Sequence, residues 1–152
     1  MRWPVRSGER KQAGVEMNDQ SSIVLLPGTA RGPVLKLTAD ISFWGGVDPL
    51  SGKIIDRRHP QFDECLKGKI LAMRRSIGSS SGSSVLLELF RRGCGPLGII
   101  LTEADLVVTL GVVVAREMSF ASVPVLCLDE SAITELPEKL VIGLQGEIKP
   151  VF

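Results

Sequence analysis

Lys69-Ile70-Leu71-Ala72-Met73, then Gly78-Ser79-Ser80-Ser81-Gly82-Ser83-Ser84, then Val85-Leu86-Leu87-Glu88-Leu89-Phe90-Arg91-Arg92 decide how this chain is read. The first run is continuously apolar and reads as a strand; the last reads as a short helix closed by Gly93. A strand, a small-residue turn and a helix start together gather backbone N–H groups. The first N–H groups of a helix have no partner within it, and its dipole adds partial positive charge there. Such places hold anions and oxyanions, and serine hydroxyls add further hydrogen bonds. A Gly/Ser run can equally be a flexible linker, but this one is short and lies between two apolar elements. One of its serines is expected to cap the helix.

Working outward, Ile23-Val24-Leu25-Leu26 is a candidate strand ended by Pro27-Gly28, and Val34-Leu35-Lys36-Leu37 is the next. Ile41-Ser42-Phe43-Trp44 reads as a third, running into the turn-rich Gly45-Gly46-Val47-Asp48-Pro49-Leu50-Ser51-Gly52. Ile54-Ile55 resumes briefly before the polar Asp56-Arg57-Arg58-His59-Pro60. Beyond the serines, Leu97 to Leu101 reads as a buried strand. Leu106 to Met118 fits a helical face, and its Val content fits a strand; Thr102, Glu103 and Asp105 before it favour the helix. Val123 to Leu128 follows as a strand and Ala132 to Leu136 as a helical turn. Leu140 to Leu144 and Glu147 to Pro150 look like a closing pair. Strands first, then alternating strand and helix, predict a single α/β domain with a second β layer around one core.

The 152 residues suit one domain, and 44% hydrophobic residues suffice for a core. With 18 basic against 17 acidic side chains, the net charge of +1 gives no electrostatic case for nucleic acid or an anionic membrane. No apolar run approaches the ~20 residues that span a bilayer. Cys65, Cys94 and Cys127 form neither a disulfide framework nor a paired metal motif, which fits reduced thiols and a cytoplasmic location. The single histidine, His59, excludes a multi-histidine metal site. Residues 1–20 are polar and charged and lack a signal-peptide core; they are expected to be a disordered tail or an over-long start, with the domain over 21–152.

Ser42-Phe43-Trp44-Gly45-Gly46-Val47-Asp48-Pro49, Gly52-Lys53-Ile54-Ile55-Asp56-Arg57-Arg58-His59-Pro60 and Gly78-Ser79-Ser80-Ser81-Gly82-Ser83, in that order, resemble the small swivel part of aconitase X. Gly95 to Leu101, Ala104-Asp105 and Leu110-Gly111 fit the same family. The resemblance covers about residues 21 to 150 and implies a swivelling β/β/α domain. In that family the domain is fused to a large catalytic domain or made as a separate small subunit; this chain resembles the separate subunit. The family dehydrates small hydroxy acids at an iron or iron–sulfur centre, with mevalonate 5-phosphate and 3-hydroxyproline among its substrates. The resemblance places the iron ligands in the large partner, with no metal bound by this chain alone.

The serine turn is also similar to the Gly-Ser-Ser-Arg-Glu turn of ordinary aconitases, where a serine is the catalytic base. Carried over in order, Ser79 takes the place of the base. Ser80 and Ser81 orient substrate, with Gly78 and Gly82 lending backbone N–H groups. Ser81 stands where the relative has a carboxylate-binding arginine, so another anion-binding arrangement, or a basic group of the partner, has to replace it. Arg74 and Arg75, just before the turn, are either a solvated edge or a counter-charge for a substrate anion. Asp48 either meets substrate across its glycine-flanked loop or bonds its own turn. Arg58 either pairs with a substrate anion, which its planar fork suits, or is a solvated loop residue. The other reading of the whole chain is a non-catalytic module of the same fold that binds a small anion or a protein.

Overall fold

The computed structural model describes residues 22–152; the expectation of a disordered tail over 1–20 lies outside them. In chain order the elements are β1 (Ile23–Leu26), β2 (Ala30–Lys36), a single broken turn α1 (Phe43–Gly46), β3 (Ile70–Met73) and α2 (Gly82–Arg91). They continue with β4 (Gly98–Leu101), α3 (Leu106–Glu117), β5 (Val125–Cys127), α4 (Glu130–Thr134), β6 (Lys139–Ile142) and β7 (Ile148–Pro150). The strands form one sheet in the order β1-β5-β4-β3-β2-β6-β7. β2, β3, β4 and β5 run parallel, with Leu35 opposite Leu71, Leu71 opposite Ile99 and Ile100 opposite Leu126. β1 on one side, and β6 and β7 on the other, are antiparallel.

The three central parallel strands β3, β4 and β5 are buried on both faces, which is why they read as unbroken apolar runs. Leu71, Met73, Ile99, Leu101 and Val125 face Val85, Leu86, Leu89, Val108 and Val112 on α2 and α3. Ile70, Ala72, Ile100 and Leu126 face the other way, onto Leu136, Leu140, Ile142 and Ile148. The β6–β7 hairpin therefore curls over the second face. At its turn a Cβ on Gly146 would lie 2.6 Å from the Val24 side chain of β1, and Ser22 Oγ donates to Gly146 O at 3.3 Å. The result is a half-barrel of strands with two helices packed outside it, the β/β/α arrangement expected.

Three local expectations change. Ile41–Trp44 is not a strand: Ile41 makes one parallel bridge to Ser76. The chain then breaks at Trp44 (ψ 111°) and Gly45 (φ +79°), with Ser42 Oγ donating to Trp44 O at 2.9 Å. β2 begins at Ala30, four residues early, because β6 pairs with Ala30 through Pro33. α2 begins at Gly82, so the last glycine and serines of the run belong to the helix. Leu106–Glu117 is helical, as its N-terminal signal predicted: the Asp105 side chain accepts from Val108 N at 3.1 Å. Among the described residues, no helix is long and apolar enough to cross a membrane.

Candidate functional site

β3 and β4 end side by side, and each feeds a helix on the same face of the sheet. The chain leaving β3 is pinned before it turns. Arg75 sits between Asp40 and Glu103, at 3.4 Å from each. Ser76 donates its N–H and its hydroxyl to Asp105 Oδ2 at 2.7 and 2.6 Å. Asp105 is a buried carboxylate whose other oxygen caps α3, so one side chain ties the entry to the serine turn to the start of the neighbouring helix. Ile77 N–H donates to Ile41 O at 2.9 Å. Gly78 has φ +89°, and a Cβ there would lie 2.7 Å from Ser42 Oγ; only glycine combines that left-handed backbone with so close an approach.

From Gly78 the chain winds into α2. Gly82, Ser83 and Ser84 donate their N–H groups to the carbonyls of Ser79, Ser80 and Ser81 at 3.0 to 3.2 Å. The Gly82 N–H assigned to substrate is thereby spent inside the turn. Gly82 itself is buried, where a Cβ would meet Val107 of α3 at 3.1 Å and Phe43 of α1 at 3.5 Å, so its role is close packing. Among the described residues, the N–H groups of Gly78, Ser79 and Ser80 find no acceptor. The expected serine cap takes another form. Ser81, at the N-cap, has helical backbone angles and no capping bond, while Ser79 Oγ accepts from Ser81 N–H at 3.1 Å. Ser83 Oγ donates to Val107 O at 2.7 Å, clamping the first turns of α2 and α3 together. Ser79, Ser80 and Ser81 are exposed.

Chemically, this is one serine oxygen that already receives an N–H, beside three unengaged N–H groups, at the start of α2. An N–H aimed at Oγ stabilises an alkoxide more than a hydroxyl, and so does the helix terminus. The exposure of the turn leaves that effect diluted by water until something covers it.

The other candidates lie elsewhere. Asp48 closes its own loop, accepting from Leu50 N–H at 3.0 Å and from Ser51 Oγ at 2.7 Å. Those bonds, first the Ser51 hydroxyl and then the Leu50 N–H, hold its carboxyl below the usual range, with Arg92 helping. The loop packs on the far end of α2: Cys94 Sγ lies 3.5 Å from Leu50 O, and a Cβ on Gly52 would lie 2.6 Å from Cys94 O. A ten-residue helix is about 15 Å long, so Asp48 is separated from the serine turn by the length of α2. Its bonds are those of the turn-closing reading, one of the two that the sequence left open. Arg58 projects into solvent, its side chain 93% exposed and 3.6 Å from Asp56, and among the described residues no contact brings it to the turn. Its neighbour His59 is buried and structural, with Nδ1 accepting from Gln61 N–H and Nε2 3.1 Å from Ala39 O.

Sequence reasoning missed the Ser76–Asp105 link and a cleft of about 420 Å³ at the carboxyl ends of β2, β3 and β4, lined by Lys36, Thr38, Arg74, Thr102, Glu130 and Thr134. Arg74 thus separates from Arg75: one faces the cleft, the other is an internal tie. Among the described residues no three His, Cys, Asp or Glu side chains gather where they could hold a metal ion. Cys127 is buried, and burial together with Glu103 pushes its thiol up.

Comparison with known proteins agrees with this geometry. The model of the aconitase X swivel domain matches residues 20–150. The cis-3-hydroxy-L-proline dehydratase of Pseudomonas aeruginosa is 46% identical over 106 residues, which are 70% of this chain and 18% of that protein. The phosphomevalonate dehydratase small subunit of Pyrococcus furiosus is 34% identical over 126 residues, 82% of this chain and 90% of that one. The chain therefore spans about a fifth of the hydroxyproline dehydratases it matches and nearly the whole of that small subunit. The crystal structure of Thermococcus kodakaraensis aconitase X in its holo form superposes with a TM-score of 0.76 at 27% identity, over 87% of this chain and 97% of that one.

Proposed function

Because the chain belongs to the aconitase X swivel-domain family, we propose that it is the small subunit of a split hydro-lyase that removes water from a small hydroxy acid. Its relatives are named dehydratases. In this reading a large subunit carries the iron centre and most of the substrate pocket, and the chain is inactive alone. The observation that carries the proposal is Ser79 Oγ receiving the Ser81 N–H at the start of α2, in the family's turn.

Dehydration needs a base for the proton next to a carboxylate and help for the departing hydroxide. Iron held by the partner would supply a Lewis acid for that second task. Ser79 is the base on this side. A serine is weak at its free pKa; the Ser81 N–H and the terminus of α2 lower the cost of its alkoxide, and cover by the partner strengthens both. Gly78, Ser79 and Ser80 N–H groups and the Ser80 and Ser81 hydroxyls orient the substrate's oxygens. The proton passes to Ser79, hydroxide leaves the neighbouring carbon, and a carbon–carbon double bond remains. A 3-hydroxyproline is favoured over mevalonate 5-phosphate, since identity is 46% and 45% to two hydroxyproline enzymes against 40% and 34% to two phosphomevalonate subunits, and residues 78–84 offer no cation for a phosphate.

The test is an anaerobic dehydratase assay of the chain alone and co-expressed with its large subunit, against cis-3-hydroxy-L-proline and mevalonate 5-phosphate. Activity is expected only in the pair, with Ser79→Ala lowering kcat by roughly 10²–10⁴ while the pair still forms. A chain active alone would overturn the split site. A Ser79→Ala pair as fast as the parent would remove Ser79 as the base.

A further inference from the structure

α3 is unusual for a surface helix. Its inner face, Val108, Gly111, Val112 and Ala115, is buried against the sheet and α2. Its outer stripe is Leu106, Leu110 and Val113, at i, i+4 and i+7. Leu106 is 85% exposed and Leu110 55%. No charged side chain occurs in the helix before Arg116. A helix that is apolar on both sides belongs between two packed layers, and this one has a layer on one side only.

The stripe is continuous with the serine turn. Asp105, which precedes Leu106, holds Ser76, and Val107 receives the Ser83 hydroxyl. Ile77 and Trp44 flank the same turn and are 47% and 62% exposed. Trp44 is held outward by the broken backbone of α1 and the Ser42 bond to its carbonyl. An apolar collar thus borders the three unengaged N–H groups, and a neighbour seated on α3 would reach over the turn and exclude water from it.

We propose that the outer stripe of α3, with Ile77 and Trp44, is the surface on which the large subunit seats. This rests on the split-enzyme reading. The occupant is a large protein with an apolar, uncharged contact face. In the Pseudomonas relative the matching segment is 18% of a longer chain, so the rest of that chain adjoins it, and in the archaeal relatives it is a separate protein named a small subunit. α2 offers no such face, because Glu88, Arg91 and Arg92 pair along its outer side.

The experiment co-expresses the chain with its large subunit, tagged on the large one, and measures co-purification and backbone hydrogen exchange. The expected result is slowed exchange over residues 106–114 and 76–80 in the pair, and at least a tenfold loss of co-purified chain for Leu106→Glu/Leu110→Glu, with Arg92→Ala pairing normally. Circular dichroism of the free double variant checks that it folds, and the exchange map of the parent pair decides the matter if it does not. Slowed exchange confined to the β6–β7 hairpin or α4, with the double variant pairing normally, would overturn the docking face and leave the split enzyme standing. A parent chain that never co-purifies would overturn both. A free chain that self-associates through α3, and loses this in the double variant, would make a second copy the occupant and overturn the inference.

Discussion

α2 and α3 start at the same edge of the sheet, pack on the same face and touch along their lengths, yet their outer sides are finished differently. On α2, Glu88 accepts from Arg91 at 2.7 Å and from Arg92 at 2.5 Å, a charged strip suited to water. On α3 the corresponding side is Leu106, Leu110 and Val113. Their N-termini differ in the opposite sense. α2 begins on an exposed serine turn with unengaged N–H groups, whereas α3 begins on a buried carboxylate with every oxygen engaged. Each helix is complete at one place and open at another, and the open places adjoin. A water-finished barrel of α2 carries a reactive end, and a fixed end of α3 carries an unfinished flank. In the proposed split enzyme, α2 lends the chemistry and α3 the contact.

The fixed end of α3 gives the largest expected effect. Asp105→Ala strands the Ser76 N–H, the Ser76 hydroxyl and the Val108 N–H in a buried place; losing a cap and leaving buried donors unpaired costs about 3 kcal/mol. Thermal unfolding of the free chain checks this. Asp105→Asn keeps one acceptor and is expected to fall between the two, which a merely space-filling aspartate would not produce. Next comes Gly78→Ala, where φ +89° and the 2.7 Å approach to Ser42 Oγ act together, costing roughly 2 kcal/mol. Adding Ser42→Gly is expected to recover the contact part and leave the backbone part, so the double-mutant cycle divides the two.

Much of this architecture was legible because local pattern and tertiary role agree. Ile70–Met73 and Gly98–Leu101 read as strands since both their faces are covered, and Asp105 before an apolar run read as a helix start. Ile41–Trp44 misled because its burial does alternate: Ile41 and Phe43 are buried and Trp44 is exposed. That alternation comes from packing beside a single bridge, and Gly45 then turns the chain away from any ladder. In the candidate site, Gly78 and the serines stood out because a glycine–serine run between a strand and a helix is a local signal, although Gly78 packs on Ser42 and Ser83 bonds Val107. The Ser76–Asp105 bond joins residues 29 apart in the chain, a link no spacing rule supplies. For Asp48 the local part was legible, since its neighbours in sequence explain its bonds; where its loop packs is set by Cys94, 44 residues from Leu50.

The charged strip of α2 predicts a smaller effect. The Arg91 and then the Arg92 guanidinium hold the Glu88 carboxyl down to about 2 from 4.5. Because the folded value is the depressed one, the pair's contribution is fully present above about 4.5 and is lost as pH falls towards 2. The side chains are 31 to 49% exposed, so salt weakens the effect. Glu88→Gln is expected to flatten the acid limb of Tm against pH in low salt and to change little in high salt. An unchanged acid limb would show that the pair does nothing for α2 in solution.

The smallest effect on the free chain sharpens the contrast most. Leu106→Glu replaces a side chain that touches little, at the first helical position of α3, where a carboxylate meets the positive end of the dipole. Its free-chain stability is therefore expected to stay within about 0.5 kcal/mol of the parent, or to rise slightly. Leu89→Ala, at a fully buried position of α2, is expected to cost about 2–5 kcal/mol by the cavity it leaves. If Leu106→Glu instead destabilised the free chain as Leu89→Ala does, Leu106 would be part of this protein's own core, and the unfinished flank of α3 would not exist. If it is neutral alone and costly only with the partner present, the leucine is kept for a contact outside this chain.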